Sequence, residues 1–415
     1  MKKRLLIVFA LFFCLLADAN EAADSLHRWG GEVSVSPGTT FAMDHYVRKW
    51  LKNKQNFMVA AELHYSSLPQ DSDSFAADFG YPVISFGMNY CFNRGVTMHR
   101  EQDPSWGLLE PVDYTSRLGN VLTAYGSFAR PFFRNRKWET SYTFSFGLGY
   151  SKDKYNVQNN IDNELIGSRW LIYFAAGLHA TCRIAENWGL KGGLDFYHHS
   201  NGALNRPNKG SNFVAPSLAL VYYPYYRESL NRGRFLAKSF SKYVYLNFVL
   251  GVGAKTLDED WQKTQFYTPP GHPDYRTDHF RLYAAYSLQT DAMYRYARRW
   301  ASGIGLDIFH GTYSSHIQEM DTGKNYAGRH SPWSIGIAAK HEVFYHNLSL
   351  GVSLGFYLFR EMGKMAKEME KPYYERIGIH YTFPSFHNLT LGINVKAHKT
   401  KADFTELVIG IPVKL

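Results

Sequence analysis

The chain is predicted to be all-β, an antiparallel transmembrane β-barrel of about 12–16 strands. Three observations predict it. Apolar and small or polar residues alternate with period two over many segments, Tyr and Phe are abundant, and no apolar run is long enough for a spanning helix.

The alternation is the decisive signal, because successive side chains of a strand point to opposite faces. In 141–150, Tyr142, Phe144, Phe146, Leu148 and Tyr150 share one face, and Ser141, Thr143, Ser145, Gly147 and Gly149 share the other. The pattern returns at Ile84, Phe86, Met88 and Tyr90, at Leu348, Leu350, Val352, Leu354 and Phe356, and at Leu389, Leu391, Ile393 and Val395. A soluble sandwich also alternates, but these strands approach the roughly 9–11 residues that cross a bilayer. In lipid the backbone finds no water, so such strands must close on themselves.

Candidate strands lie near 29–37, 56–67, 81–93, 119–131, 138–153, 169–185, 188–200 and 212–225. The second half offers 242–256, 280–296, 301–313, 332–346, 348–359, 373–384, 389–398 and 403–413. Short links at His346-Asn347 and His387-Asn388 read as periplasmic turns, and 100–117 and 257–278 as extracellular loops. The segment 41–52 looks helical, and the charged stretch 360–371, with Met362, Met365 and Met369, reads as an exposed loop, with a membrane-lying helix as the alternative. Gly193-Leu194-Asp195-Phe196 is echoed by Gly305-Leu306-Asp307-Ile308. Hairpin repetition within a single barrel spanning 20–415 accounts for that echo, and two tandem eight-stranded barrels are the alternative.

The aromatic share is 16%, with 30 Tyr and 29 Phe. Such rings, apolar with a polar tip in Tyr, suit membrane interfaces. Mean hydropathy is negative, as expected when each strand is apolar on one face only. No stretch of about 18 apolar residues is present, which removes the transmembrane helix.

Lys2, Lys3 and Arg4 precede an apolar run from Leu5 to Leu16 and then Ala17-Asp18-Ala19. That is the layout of a secretory signal peptide over 1–19, with cleavage before Asn20 and export to a Gram-negative-type outer membrane. Cys14 within the run leaves a lipoprotein anchor as an alternative. The formal charge is +10, and removing the leader's three cations and one anion leaves +8. Acidic lipid headgroups and plain solvation account for that charge equally well.

Cys91 and Cys182 alone remain after the leader, which is no disulfide framework and gives no CxxC, so no metal or cofactor is expected. No GxxxxGK[ST] loop and no HExxH occur, and the basic residues are dispersed, which excludes nucleic acid as a partner.

One stretch carries chemistry. His198 and Ser200 are two apart on a predicted strand and share a face with Phe196, Leu194 and Leu190, whereas Lys191, Asp195 and Tyr197 share the other. The Leu/Phe face should meet lipid, so His198 and Ser200 are expected on the outer wall. An imidazole beside a hydroxyl can take its proton and make it a nucleophile. Placed on that wall, the nucleophile suits an ester of a membrane lipid and not a soluble substrate. The following run of Asn, Gly and Pro reads as an ordered turn whose backbone donors can hold an oxyanion.

His198-x-Ser200-Asn201-Gly202, followed by Pro207-Asn208-x-Gly210, resembles the active-site segment of the PagL-type lipid A 3-O-deacylases, also termed acyloxyacyl hydrolases. The resemblance covers roughly 56–225. It implies an outer-membrane barrel that cleaves an acyl ester of lipid A, the lipid of lipopolysaccharide, without metal. It further implies Ser200 as nucleophile, His198 as general base, and Asn201, Gly202 and Asn208 near the oxyanion. Twelve residues after the serine the family carries an acid, and here the position holds Asn212. Asparagine can hold an imidazole tautomer but cannot stabilise imidazolium as an anion does. Arg206 and Lys209 are candidate contacts for lipid phosphates, with solvated loop cations as the alternative. His310-Gly311-Thr312 repeats the spacing without the turn and reads as structural.

The expected function is therefore a metal-independent carboxylic ester hydrolase acting on lipid A. The alternative is a non-enzymatic barrel, a channel or a structural or lipopolysaccharide-binding protein, that keeps a relic of the motif.

Overall fold

The computed structural model describes residues 28–230, 237–399 and 401–415; the expected signal peptide at 1–19 lies outside them. Eight strands form a first closed barrel: β1 (Trp29–Phe41), β2 (Gln55–Ser66), β3 (Val83–Phe92), β6 (Val121–Arg134), β7 (Trp138–Ser151), β8 (Trp170–Arg183), β9 (Trp188–Ser200) and β10 (Ser211–Tyr222). The two-residue strands β4 (Thr97–Met98) and β5 (Ser116–Arg117) pair within the β3–β6 loop. A second closed barrel follows: β11 (Tyr243–Lys255), β12 (Tyr283–Ala297), β13 (Trp300–Gly311), β14 (His330–Tyr345), β15 (Leu348–Met362), β16 (Tyr373–Phe383), β17 (Leu389–His398) and β18 (Lys401–Lys414).

The strand inventory matches the period-two reading, but the single barrel over 20–415 does not hold. β10 turns back to pair with β1, Gly31 opposite Tyr222, and β11 closes on β18, Tyr245 opposite Lys414. The alternation fixes which way each side chain points, and either closure satisfies it. Choosing between them depends on a pairing some 190 residues apart.

Face parity is as expected. Phe86, Leu148, Leu194, Leu354 and Leu407 stand exposed on the outer walls, while Ser141, Ser145 and Asp195 are buried inside. The first lumen is filled by Tyr125, Tyr173, Tyr197 and Phe213, with the Tyr197 and Phe213 rings stacked 4.8 Å apart. Lumen charges are paired, Lys191 with Glu32 in the first barrel and Lys340 and Arg376 with Asp307 in the second. Leu194 sits midway along β9 and is 58% exposed. Leu194→Arg is expected to destabilise folding into vesicles by about 2–4 kcal/mol, as for a cation at the bilayer midplane. A urea midpoint unchanged from wild type would show that this wall does not face lipid.

Because neighbouring strands are antiparallel, the connections after β3, β7, β9, β11 and β13 all emerge at one end, and this is the end of the long loops. The 41–52 segment holds the short helix His45–Trp50, capped by Asp44. The 360–371 stretch is not simply an exposed loop: it contains the helix Lys364–Met369, in which Met365 is buried, and Met362 and Ala366 pack with Leu257, Tyr313 and Ile317. Its charges concealed that apolar side from a composition reading.

At this end the two barrels meet. Leu108 N–H donates to Phe266 O at 3.0 Å, Tyr155 OH to Arg276 O at 2.7 Å, and Arg276 Nη2 lies 3.2 Å from Asp162 Oδ1. At the opposite end, which carries the β2–β3 connection, His346 Nε2 stands 2.9 Å from Asp73 Oδ2, and the Ser67 and Tyr345 hydroxyls share a 3.1 Å hydrogen bond.

Candidate active site

β9 and β10 form a hairpin whose register sets His198 directly opposite Asn212. The two therefore share a face, and His198 Nδ1 and Asn212 Oδ1 lie 2.7 Å apart. With the amide oxygen accepting, the imidazole carries its proton on Nδ1 and presents Nε2 as a base. On the other side, β8 sets Phe174 beside His198 and Ile172 beside Ser200.

Parity separates the two adjacent histidines. His199 is buried in the lumen, 3.0 Å from Thr123 Oγ1 and 4.9 Å from the centre of the Tyr173 ring. His198 and Ser200 fall on the wall that carries Leu190 and Leu194, and both are partly exposed. Among the described residues no hydrogen bond joins Ser200 Oγ to His198.

The ten residues from Asn201 to Gly210 turn the chain above this pair. Leu204 N–H donates to Asn201 O at 3.2 Å, and both central residues, Gly202 at +61° and Ala203 at +70°, have positive φ. That is the tight primed turn whose first central position suits glycine. Asn201 N–H donates to Asn208 Oδ1 at 2.9 Å, and Asn201 Nδ2 to Asn205 O at 3.0 Å. Asn208 is thus committed through its oxygen, which leaves its Nδ2 as a donor. Gly210, at φ +76°, has no side chain where a Cβ would stand 2.8 Å from His198 Cε1.

A loop the sequence reading did not single out supports the turn from below. Lys209 N–H donates to Glu164 O at 3.1 Å, Gly210 N–H to Leu165 O at 3.0 Å, and Asn205 Nδ2 to Gly167 O at 2.8 Å. A Cβ on Gly167 would lie 2.1 Å from Pro207 O, a backbone atom that can yield only by moving the turn. Gly167→Ala is therefore expected to lower activity at least tenfold while the barrel still folds, since a displacement of about 1 Å costs up to 10²-fold. Wild-type turnover by a folded variant would show that the turn's position is irrelevant.

The two cations of the turn do not stand free for phosphate. Arg206 is buried, with Nε and Nη2 donating to Thr256 O and Nη1 3.3 Å from Asp258 Oδ1. Lys209 pairs with Asp44 Oδ2 at 3.0 Å and lies over the Trp261 ring. Burial raises the Asp44 carboxyl, but Lys209 and the capped amides outweigh it and hold it below its usual range. Asp44, Thr256 and Asp258 lie 50 to 165 positions from the turn cations they contact, and nothing in the local sequence marks them. His310 packs its ring 4.6 Å from Trp333, as a structural histidine would.

Residues 81–221 match the family model described as lipid A 3-O-deacylase (PagL), and 244–414 match that described as acyloxyacyl hydrolase, C-terminal domain. Each match falls within one barrel. No curated protein matches the chain. Among solved structures, that of the outer membrane enzyme PagL aligns over 46% of this chain and 98% of its own at 15% identity, with a TM-score of 0.27. A mutant porin of Rh. blastica aligns over 92% and 99% at 8% identity and TM-score 0.16. OccAB4 of Acinetobacter baumannii aligns over 94% and 98% at 8% identity and TM-score 0.23.

Proposed function

Because the chain belongs to the family of PagL-type lipid A deacylases with an acyloxyacyl hydrolase C-terminal domain, we propose that it hydrolyses an acyl ester of lipid A in the outer membrane, with Ser200 and His198 as the catalytic pair. The observation that carries this reading is the 2.7 Å contact between His198 and Asn212 on the apolar outer wall, directly below an ordered turn. A soluble substrate has no access to such a wall, and a lipid acyl chain lies along it.

The proposed steps are those of a serine esterase. Ser200 Oγ attacks the ester carbonyl carbon while His198 Nε2 takes its proton. The missing Ser200–His198 hydrogen bond closes as substrate docks, as catalytic contacts often do. The resulting oxyanion is met by the Gly202 amide and Asn208 Nδ2, with Asn201 fixing the turn between them. One such donor contributes about 10²–10³ in rate. Collapse breaks the ester C–O bond, and His198 returns the proton to the departing sugar hydroxyl. Water, deprotonated by His198, then attacks the acyl carbon; the acyl–Oγ bond breaks, His198 returns the proton to Ser200 Oγ, and the fatty acid leaves. Each proton has a base within the pair, so no step calls for a metal. The long-loop end is taken as outward, which sets the site at the outer leaflet, where lipid A resides.

A long-chain alkyl fluorophosphonate is expected to label the folded protein once, on the peptide containing Ser200. Labelling of the Ser200→Ala variant to the same extent would rule the nucleophile out.

A further inference from the structure

We propose that the second barrel is a positioning element for hydrolysis on the first, acting through Thr256, Asp258 and Thr405 on the turn after Ser200. This rests on the reading of Ser200 and His198 given above.

The contacts converge on one short segment. Ala203 O accepts from Thr256 N–H at 2.8 Å and from Thr256 Oγ1 at 3.0 Å. Thr405 Oγ1 donates to Gly202 O at 2.9 Å. The Arg206 guanidinium closes the turn against Thr256 O, at 3.2 Å from Nε and 2.9 Å from Nη2, and against the Asp258 carboxylate. Asp258 is itself buried and paired with Lys401 at the head of β18. Thr256, Asp258 and Thr405 all belong to the second barrel or its β11–β12 loop.

Peptide planarity turns these contacts into control of the site. Carbonyl and following N–H of a trans peptide point in opposite directions. Holding Gly202 O on Thr405 therefore fixes the Ala203 amide, and holding Ala203 O on Thr256 fixes the Leu204 amide, which in turn anchors Asn201 O and so aims the Gly202 amide. The approach is close enough to need glycine at 202, because a Cβ there would stand 2.0 Å from Thr405 Oγ1. Arg206 can leave water for this buried position only because the second barrel supplies both an acceptor and a carboxylate. The first barrel's own loop supports the other end of the turn, at 205, 209 and 210. The segment nearest Ser200 depends on the second barrel.

The test compares full-length variants at two places on the same interface. Thr405→Val and Asp258→Asn remove anchors at the turn without changing side-chain size. Ser67→Ala and His346→Ala remove contacts at the opposite end. Lipid A deacylation is measured in detergent micelles, with heat-modifiable migration confirming that each variant is folded. The proposal expects kcat to fall about tenfold for each anchor variant and further for the pair, with KM nearly unchanged, in line with loss of an aligned oxyanion donor. It expects the opposite-end variants to keep wild-type kcat. A folded Thr405→Val/Asp258→Asn double variant with wild-type kcat overturns it, and so does an equal fall in kcat for Ser67→Ala/His346→Ala. Ser200→Ala runs alongside. If that variant is inactive while the anchor variants are unaffected, only the positioning role fails; if it stays active, the reading of the catalytic pair fails.

Discussion

Alanine at Ser200 or at His198 is expected to lower kcat for acyl release by about 10⁴-fold or more, and the double variant is expected to be no slower than either single one. The two residues act as one unit, since the hydroxyl is a poor nucleophile without the base and the base has nothing to deprotonate without the hydroxyl. Whatever rate remains comes from the turn, whose donors can still stabilise attack by water. Fatty-acid release from purified lipid A in micelles, followed by mass spectrometry, gives the rates. Additive losses would mean that the two residues contribute separately and are not a nucleophile and its base.

Asn212 stands where the resemblance implies an acid, and its variants carry the second large effect. Asn212→Leu removes the acceptor that selects the Nδ1–H tautomer, while β9 and β10 stay paired through their backbones. A histidine whose tautomer is wrong costs up to about 10⁴ in kcat, so a fall of 10²-fold or more is expected. Asn212→Asp acts in the other direction. A carboxylate 2.7 Å from Nδ1 stabilises the imidazolium formed when Ser200 loses its proton, so kcat rises, by up to about tenfold for each unit of imidazole basicity gained. A nearby anion favours the charged imidazole, so the acidic limb of the kcat/KM profile moves to higher pH in Asn212→Asp. If Asn212→Leu matched wild type, the cross-strand contact would have no part in the chemistry.

Much of the site was legible because β-strand parity is strict. Once Leu190 and Leu194 are set toward lipid, His198 and Ser200 must follow and Lys191 and Asp195 must turn inward, as they do. The pairing of Asn212 with His198 is implied by the family resemblance, and the β9–β10 register sets the two opposite each other across a ten-residue turn. Long-range pairings left no such trace. Neither the β1–β10 closure that makes two barrels nor the contacts of Arg206 with Thr256 and Asp258 follow from local alternation. Arg206 reads from the sequence as a contact for lipid phosphate or a solvated loop cation, because a loop arginine usually faces outward; here the neighbouring barrel supplies its partners. Met362 and Met365 were obscured in the same way, by the charges around them.

The most direct measurement is mass spectrometry of lipid A from Gram-negative cells that express the full chain, compared with cells that express Ser200→Ala at equal abundance in the outer membrane. The account predicts lipid A lighter by one acyl chain in the first and unmodified lipid A in the second. Identical lipid A in both, with folded barrel confirmed in each, would contradict it.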